Sequence, residues 1–350
     1  MRDQTRNPAP DGLDEVLSPD WLSAALSPRF PGVEVASTTV TETLQTMATK
    51  VRFDVEYANA TVEAPPALCV KSYFGVGQRY RATAGLGETK FYRELASTLS
   101  VRVPLCLYTG IDSDTGNALI VMEDLVASGH TFLTALSPYT VEQAAATLDQ
   151  LAQLHARYWG DESLASFSWL RPKLTSITSY ITPEVLQEHL DGSRAEGLPD
   201  AVRRADRLNR AVLRVVERSA NDVACLVHGD AHAGNLYETP DGLPGLVDWQ
   251  VIQRSSWALD VSYHIGAVLD PELRAVAERD LLAHYLDRLA AYGVKPPSWD
   301  EAWFNYRTAL VYGYYMWAVS RLVDPPVITE FVTRLGTAVA QHGTLDLLGT

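Results

Sequence analysis

Apolar and polar residues alternate through 49–57, putting Val51, Phe53, Val55 and Tyr57 on one face. A period of two predicts a β-strand with one face buried. Residues 33–44 alternate in the same way, so the two segments predict an antiparallel pair. A third strand is predicted over 67–73, Ala-Leu-Cys-Val-Lys-Ser-Tyr, and two more over 103–110 and 117–122, flanking an Asp112-Ser-Asp-Thr-Gly116 turn. Between the third and fourth strands the period lengthens to that of a helix over 83–98, with Phe91, Tyr92 and Leu95 on its inner face. Near the start, Ser18-Pro19-Asp20 predicts a helix with Pro in its first turn, leading into Trp21, Leu22, Ala25 and Leu26.

Beyond residue 138 the helical period dominates. It predicts helices over 138–159, 174–190 and 199–219, one starting at Ser255 and running through Tyr263, and three more over 271–292, 298–320 and 326–342. Pro172, Gly192, Gly197 and Pro199 mark breaks. The stretch 299–317 carries eight aromatic residues and is apolar nearly all round, which predicts burial. His155 has no partner His at helical spacing and reads as a core hydrogen-bonding group. The pattern gives an α+β fold class: an N-terminal antiparallel sheet with one packed helix, then a mainly helical half. A chain of 350 residues exceeds what one core normally holds, so two lobes are expected.

Composition narrows the function. A formal net charge of −14 argues against a nucleic-acid partner, whose phosphates require clustered Lys and Arg. Apolar content of 47% and charged content of 21% fit an ordinary globule. The N-terminal residues 1–13 are polar and expected to be loose, with no apolar leader. No long uncharged apolar run occurs, so no membrane partner is expected and the location is read as cytoplasmic. Cys69, Cys106 and Cys225 are odd in number and each sits in an apolar run, which predicts buried reduced thiols.

The chemistry concentrates in 226–250. Two short apolar strands, 224–227 and 244–247, run into polar side chains, and the Pro-Asp-Gly at 240–242 predicts that they lie side by side. His228, Asp230, Asn235 and Asp248 would then converge. A carboxylate to orient a hydroxyl, with an amide and a second carboxylate for Mg2+, is what phosphoryl transfer needs. A different enzyme class stays open, a metal-dependent hydrolase using His228, Asp230 and His232 as ligands. Upstream, Lys71 closes an apolar strand, where it is either an exposed edge lysine or a phosphate contact. Glu88 and Glu94 are the two carboxylates that the following helix could turn toward it. Asp260, on an apolar element, needs partners, and the backbone amides of 228–232 are the expected ones.

These stretches together resemble the small-molecule kinases that share the protein-kinase fold: aminoglycoside phosphotransferases, choline kinases and, most closely, the ecdysteroid-kinase-like group. The resemblance rests on Ala-Leu-Cys-Val-Lys71, Glu88-Thr-Lys-Phe-Tyr, Met122-Glu-Asp-Leu125, Leu-His155-Ala-Arg-Tyr-Trp, His228-Gly-Asp-Ala-His-Ala-Gly-Asn235, Val-Asp248-Trp-Gln and Ala-Leu-Asp260-Val-Ser-Tyr, over about residues 35–270. It implies a protein-kinase-like bilobal fold with a five-stranded sheet, an N-terminal lobe 1–122, a connector 123–126 and a helical lobe 127–350. It also implies transfer of the ATP γ-phosphoryl to a small-molecule hydroxyl. Asp230 would be the base of loop 228–235, Asn235 and Asp248 (in 247–250) the Mg2+ ligands, and His228 and Asp260 supports of that loop. Lys71 and Glu88 would clamp the nucleotide phosphates. Met122 would line the base pocket, and Glu123 and Leu125 would offer backbone hydrogen bonds. The turn at 43–49 holds no glycine where such enzymes cover the phosphates, so Thr46 and Thr49 are the candidates there, and GTP stays open beside ATP. The Trp- and Tyr-rich helical lobe favours a hydrophobic, sterol-like or aromatic alcohol. Acidic residues within 184–206 and 270–287 keep an aminoglycoside or other cationic alcohol as the alternative. A nucleotide-binding pseudokinase-like module is the non-enzymatic alternative, and the oligomeric state is left open.

Overall fold

Strand β1 (Val35–Gln45) pairs antiparallel with β2 (Thr49–Tyr57), and β2 with β3 (Ala67–Ser72), in the computed structural model of the chain. The structure describes residues 7–45, 48–58, 63–74, 85–174, 178–179 and 181–350. With β4 (Cys106–Ile111) and β5 (Ala118–Glu123) these strands form a five-stranded antiparallel sheet in the order β1-β2-β3-β5-β4. The alternation in the sequence sets the faces: Val51, Phe53 and Val55 of β2 and Leu68 and Val70 of β3 are buried. The same alternation puts Cys69 on the other face, where it and Cys106 keep partial exposure; only Cys225 is buried as expected, and all three thiols are free. Helix α1 (Pro19–Leu26) starts where Ser18 was read, its hydroxyl accepting from the Trp21 amide, and packs Leu22, Ala25 and Leu26 into the same core.

Helix α2 (Leu86–Lys90) runs on into a π-turn over Phe91–Leu95. Phe91, Tyr92 and Leu95 are buried, and Glu94 is exposed. The chain divides into two compact units, 1–98 with 103–131, and 99–102 with 132–350.

The second unit is mainly helical. Among the described residues its longer helices are α3 (Val141–Arg157), α4 (Pro183–Asp191), α5 (Ala205–Asn221), α6 (Ala258–Val268), α7 (Pro271–Ala291), α8 (Trp299–Ala318) and α9 (Pro325–Gln341). Thr140 and Gln143 close a capping box at the start of α3, satisfying two amide groups that a helix end leaves bare. Within the helix expected over 174–190, α4 forms the later part, with Thr182 and Pro183 supplying its N-cap and first turn, and residues 175–177 and 180 lie outside the described residues. Helix α8 buries Tyr306, Tyr312, Tyr314 and Tyr315, as its all-round apolar pattern requires.

Two strand readings need correction. Strand β6 (Ala224–Val227) pairs with β9 (Gln253–Ser256), and β7 (Leu236–Glu238) pairs with β8 (Pro244–Leu246), so 224–227 and 244–247 are not partners. The Pro-Asp-Gly turn closes the nearer hairpin, because Leu236 and Tyr237 supply a strand within its reach. Ser255 and Ser256 belong to β9, and the helix begins at Ala258. Among the described residues no helix is long and apolar enough to cross a membrane.

Candidate active site

In the first unit, the apolar run of β3 carries Lys71 into the interior, where a lone ammonium would be costly. Its Nζ lies 2.6 Å from Glu88 Oε2 on α2, with each side chain only 4% exposed. Glu94, the rival, faces solvent because six residues along the helix is neither one turn nor two. At the end of β5, Met122 is half-buried and Leu125 buried. The Glu123 amide donates to Leu105 O at 3.0 Å, its carboxylate accepts from the Leu105 amide at 2.7 Å, and the Leu125 carbonyl accepts from the His130 amide at 2.9 Å. Asp124, which the sequence reading passed over, is buried and takes the Arg52 Nε on both oxygens, at 3.0 and 2.9 Å. Thr49 is buried and donates to Gln45 Oε1 at 2.9 Å. Thr46 lies outside the described residues.

In the second unit, the loop after β6 is held from beneath by one carboxylate. Asp260 Oδ2 accepts from the His228 amide and Oδ1 from the Gly229 amide, both at 2.7 Å. His155 Nε2 completes the set at 3.1 Å, and its Nδ1 meets the Tyr285 hydroxyl at 2.8 Å. Burial pushes the Asp260 carboxyl up, but the hydrogen bond and charge of His155, together with His228 and the Gly229 amide, outweigh it and leave the group below its ordinary value. Gly229 adopts φ +82°, and a Cβ there would stand 2.5 Å from Val251 O, so the turn admits only glycine.

His228 is fully buried, which lowers its pKa. Its Nδ1 accepts from the Asp230 amide at 3.2 Å, so Nε2 carries the proton that is donated to Val247 O at 2.9 Å. That bond ties the loop to the strand leading into Asp248. Asp248 is the sole non-glycine residue at positive φ among the described residues, with φ 65° and ψ 67°. An aspartate tolerates this region better than most residues, and such backbone outliers gather at functional sites.

Asp230 sits between donors. Asn235 Nδ2 lies 3.0 Å from its Oδ2, and the Tyr263 hydroxyl lies 3.0 Å from its Oδ1. The Asn235 amide nitrogen also donates to Asp230 O at 2.9 Å, so the amide oxygen is the end of Asn235 not engaged by Asp230. That oxygen and the Asp248 carboxylate are both hard oxygen donors, the ligand type that a cation such as Mg2+ selects, and the Val247 amide next to Asp248 donates to Asn235 O at 3.0 Å.

The hydrolase alternative finds no support. Both His228 nitrogens are committed to backbone groups, and His232 Nδ1 accepts from the Gly234 amide at 3.1 Å. Among the described residues no group of three or more His, Cys, Asp or Glu could hold a metal ion.

The sequence reading missed Tyr263, Tyr312 and His264 as loop partners. Tyr263 and His264 fall three and four positions after Asp260, on the same helix face, which is the signal that could have found them.

The fold and these loops are those of a class of enzymes, the phosphotransferases. The chain belongs to the phosphotransferase enzyme family, whose model matches residues 63–302. Solved structures with the same fold include an ethanolamine kinase of Plasmodium vivax, at 10% identity, TM-score 0.54, and coverage of 90% of this chain and 83% of that one. A choline kinase from Cryptosporidium parvum matches at 12% identity and TM-score 0.54, covering 94% and 95% of the two chains. A spectinomycin phosphotransferase, solved with ADP and spectinomycin, matches at 13% identity and TM-score 0.50, covering 94% and 98%. No curated protein sequence matches the chain.

Proposed function

We propose that this phosphotransferase moves the γ-phosphoryl group of ATP to a hydroxyl of a small molecule, with Asp230 as the base. The observation that carries the reading is Asp230 itself: a carboxylate 22% exposed at its side chain, with a neutral donor on each oxygen. Such a group accepts the acceptor hydroxyl's proton as that oxygen bonds to phosphorus and the bond to the ADP oxygen breaks. Mg2+, when bound, would be held by Asn235 and Asp248 and would neutralise phosphate charge. Lys71, oriented by Glu88, would contact the phosphates; Thr49, with Thr46, would cover them. Met122 would border the base, whose edge would meet backbone groups of Glu123 and Leu125, with GTP as the alternative nucleotide. His228 and Asp260 act through the loop.

Residues 123–126 are proposed as the connector between the lobes 1–122 and 127–350. Asp248-Trp-Gln supports assignment to the ecdysteroid-kinase-like group within the family. For the acceptor, the Trp- and Tyr-rich sequence of the helical lobe supports a hydrophobic, sterol-like or aromatic alcohol. The net charge of −14 supports a second reading, an aminoglycoside or other cationic alcohol.

The test is a panel of sterol-like, aromatic and cationic alcohols with MgATP, read by ADP release, with Asp230→Asn beside the parent. Acceptor-dependent ADP release that falls about a hundredfold or more in the variant is expected. Nucleotide binding without turnover on any alcohol would favour a pseudokinase-like module instead.

A further inference from the structure

Three side chains from α6 and α8 hold three successive residues of the 228–235 loop. The Tyr312 hydroxyl donates to Gly229 O, the Tyr263 hydroxyl to Asp230 Oδ1 at 3.0 Å, and His264 Nδ1 meets Ala231 O at 2.9 Å. Two of these contacts fix the backbone. Of the three, only Tyr263 reaches the carboxylate.

A carboxylate on a single Cβ pivots about the Cβ–Cγ bond, and one donor on one oxygen does not stop it. A donor on each oxygen sets its plane, and here the two donors come from different elements: Asn235 from the loop itself and Tyr263 from α6. Tyr263 is itself held. Its ring is fully buried and packs edge-on to Tyr312 at 5.8 Å, so its hydroxyl has little freedom to leave Asp230. His232, the other nearby donor, has its Nε2 at 3.6 Å from Oδ1, beyond hydrogen-bond reach. Burial, and after it the Asp230 charge, hold the Tyr263 hydroxyl far above the usual phenol range, which keeps it a donor at every working pH.

We propose that Tyr263 is a positioning residue for phosphoryl transfer: its hydroxyl fixes the plane of the Asp230 carboxylate so that the exposed lone pairs meet the acceptor hydroxyl. The inference rests on the reading of Asp230 as the base, and it adds a second residue of α6, beside Asp260, to the machinery that the loop motif alone describes. In near-attack geometry a small misplacement of a reacting group costs rate rather than affinity.

The experiment uses the full chain with MgATP, water serving as the acceptor, and reads phosphate release. Tyr263→Phe should lower kcat about tenfold while KM for MgATP stays within about twofold. Its melting temperature should fall no further than that of Tyr314→Phe, which deletes a buried hydroxyl bonded at 3.1 Å to Val202 O, away from the loop. In an Asp230→Asn background, Tyr263→Phe should have no further effect, because the group it positions is gone. Parental kcat in Tyr263→Phe, or the same fold loss in both backgrounds, overturns the proposal. Should Tyr263→Phe fold poorly, 3-fluorotyrosine at position 263 keeps the shape and strengthens the donor. It must then change kcat at constant KM and melting temperature, and an unchanged kcat is again refutation. Parental turnover by Asp230→Asn alone would overturn both the base assignment and this inference.

Discussion

Lys71 Nζ and Glu88 Oε2 stand 2.6 Å apart inside the first unit, each side chain 4% exposed. Removing one partner of a buried pair leaves the other charge uncompensated, at a cost of about 3–5 kcal/mol. Lys71→Ala and Glu88→Ala should therefore each weaken nucleotide binding and lower the melting temperature. The double variant should lose little beyond Lys71→Ala. Calorimetric binding of MgATP with thermal melts of the three proteins checks this, and fully additive losses would count against the pair acting as a unit.

Asp248 and Asn235 are the proposed metal ligands, on the strength of their oxygen chemistry and the positive φ of Asp248. Asp248→Ala should abolish the Mg2+ dependence of ATP binding, measured by titrating the ion at fixed nucleotide. A variant that binds MgATP as tightly as the parent would remove Asp248 from that role.

Asp260 holds two amide groups of the loop and faces His155. Asp260→Ala leaves both amides and the imidazole buried without their acceptor, so a loss of about 3 kcal/mol or more in unfolding free energy is expected. Chemical denaturation measures it, and a change under about 1 kcal/mol would mean that the loop finds other partners.

His264 sets a pH dependence of stability. Burial lowers its pKa from 6.5 to about 4, with the bond to Ala231 O opposing in part. Between those values the unfolded chain binds a proton that the folded chain refuses, so stability rises with pH through this window. The slope from one such group is at most about 1.4 kcal/mol per pH unit. His228 is shifted in the same direction and adds to it. The melting temperature should fall from pH 7 to pH 5, and His264→Gln should flatten that slope; an equal slope in the variant would assign the effect elsewhere.

Much of the fold was legible because its signals are local. The alternation in 49–57 and 67–73 set which side chains face the core, and the Ser18 helix start depends on neighbouring residues alone. That Lys71 needs a carboxylate from the following helix could be read from its apolar strand, while Glu88 rather than Glu94 was implied by the family resemblance. Strand pairing in the second unit was not legible: β6 finds β9 rather than the strand at 244–247, because pairing is settled by which edges meet after the helices pack. The exact span of α6 was hidden likewise, since Ser255 and Ser256 pair with Cys225 and Ala224 before the chain turns helical.

The sequence by itself determined the class of chemistry. The residue types and spacing of His228, Asp230, Asn235 and Asp248 are written along one short stretch, and the apolar run ahead of Lys71 required a buried carboxylate. Only the tertiary structure decided how Asp230 is held. Tyr263 and Tyr312 stand 33 and 83 residues from their loop partners, on helices whose apolar pattern records that they are buried but not what their hydroxyls touch. Periodicity reports the face a side chain occupies; the partner of a buried hydroxyl depends on how separate elements pack, and that is fixed by the whole chain.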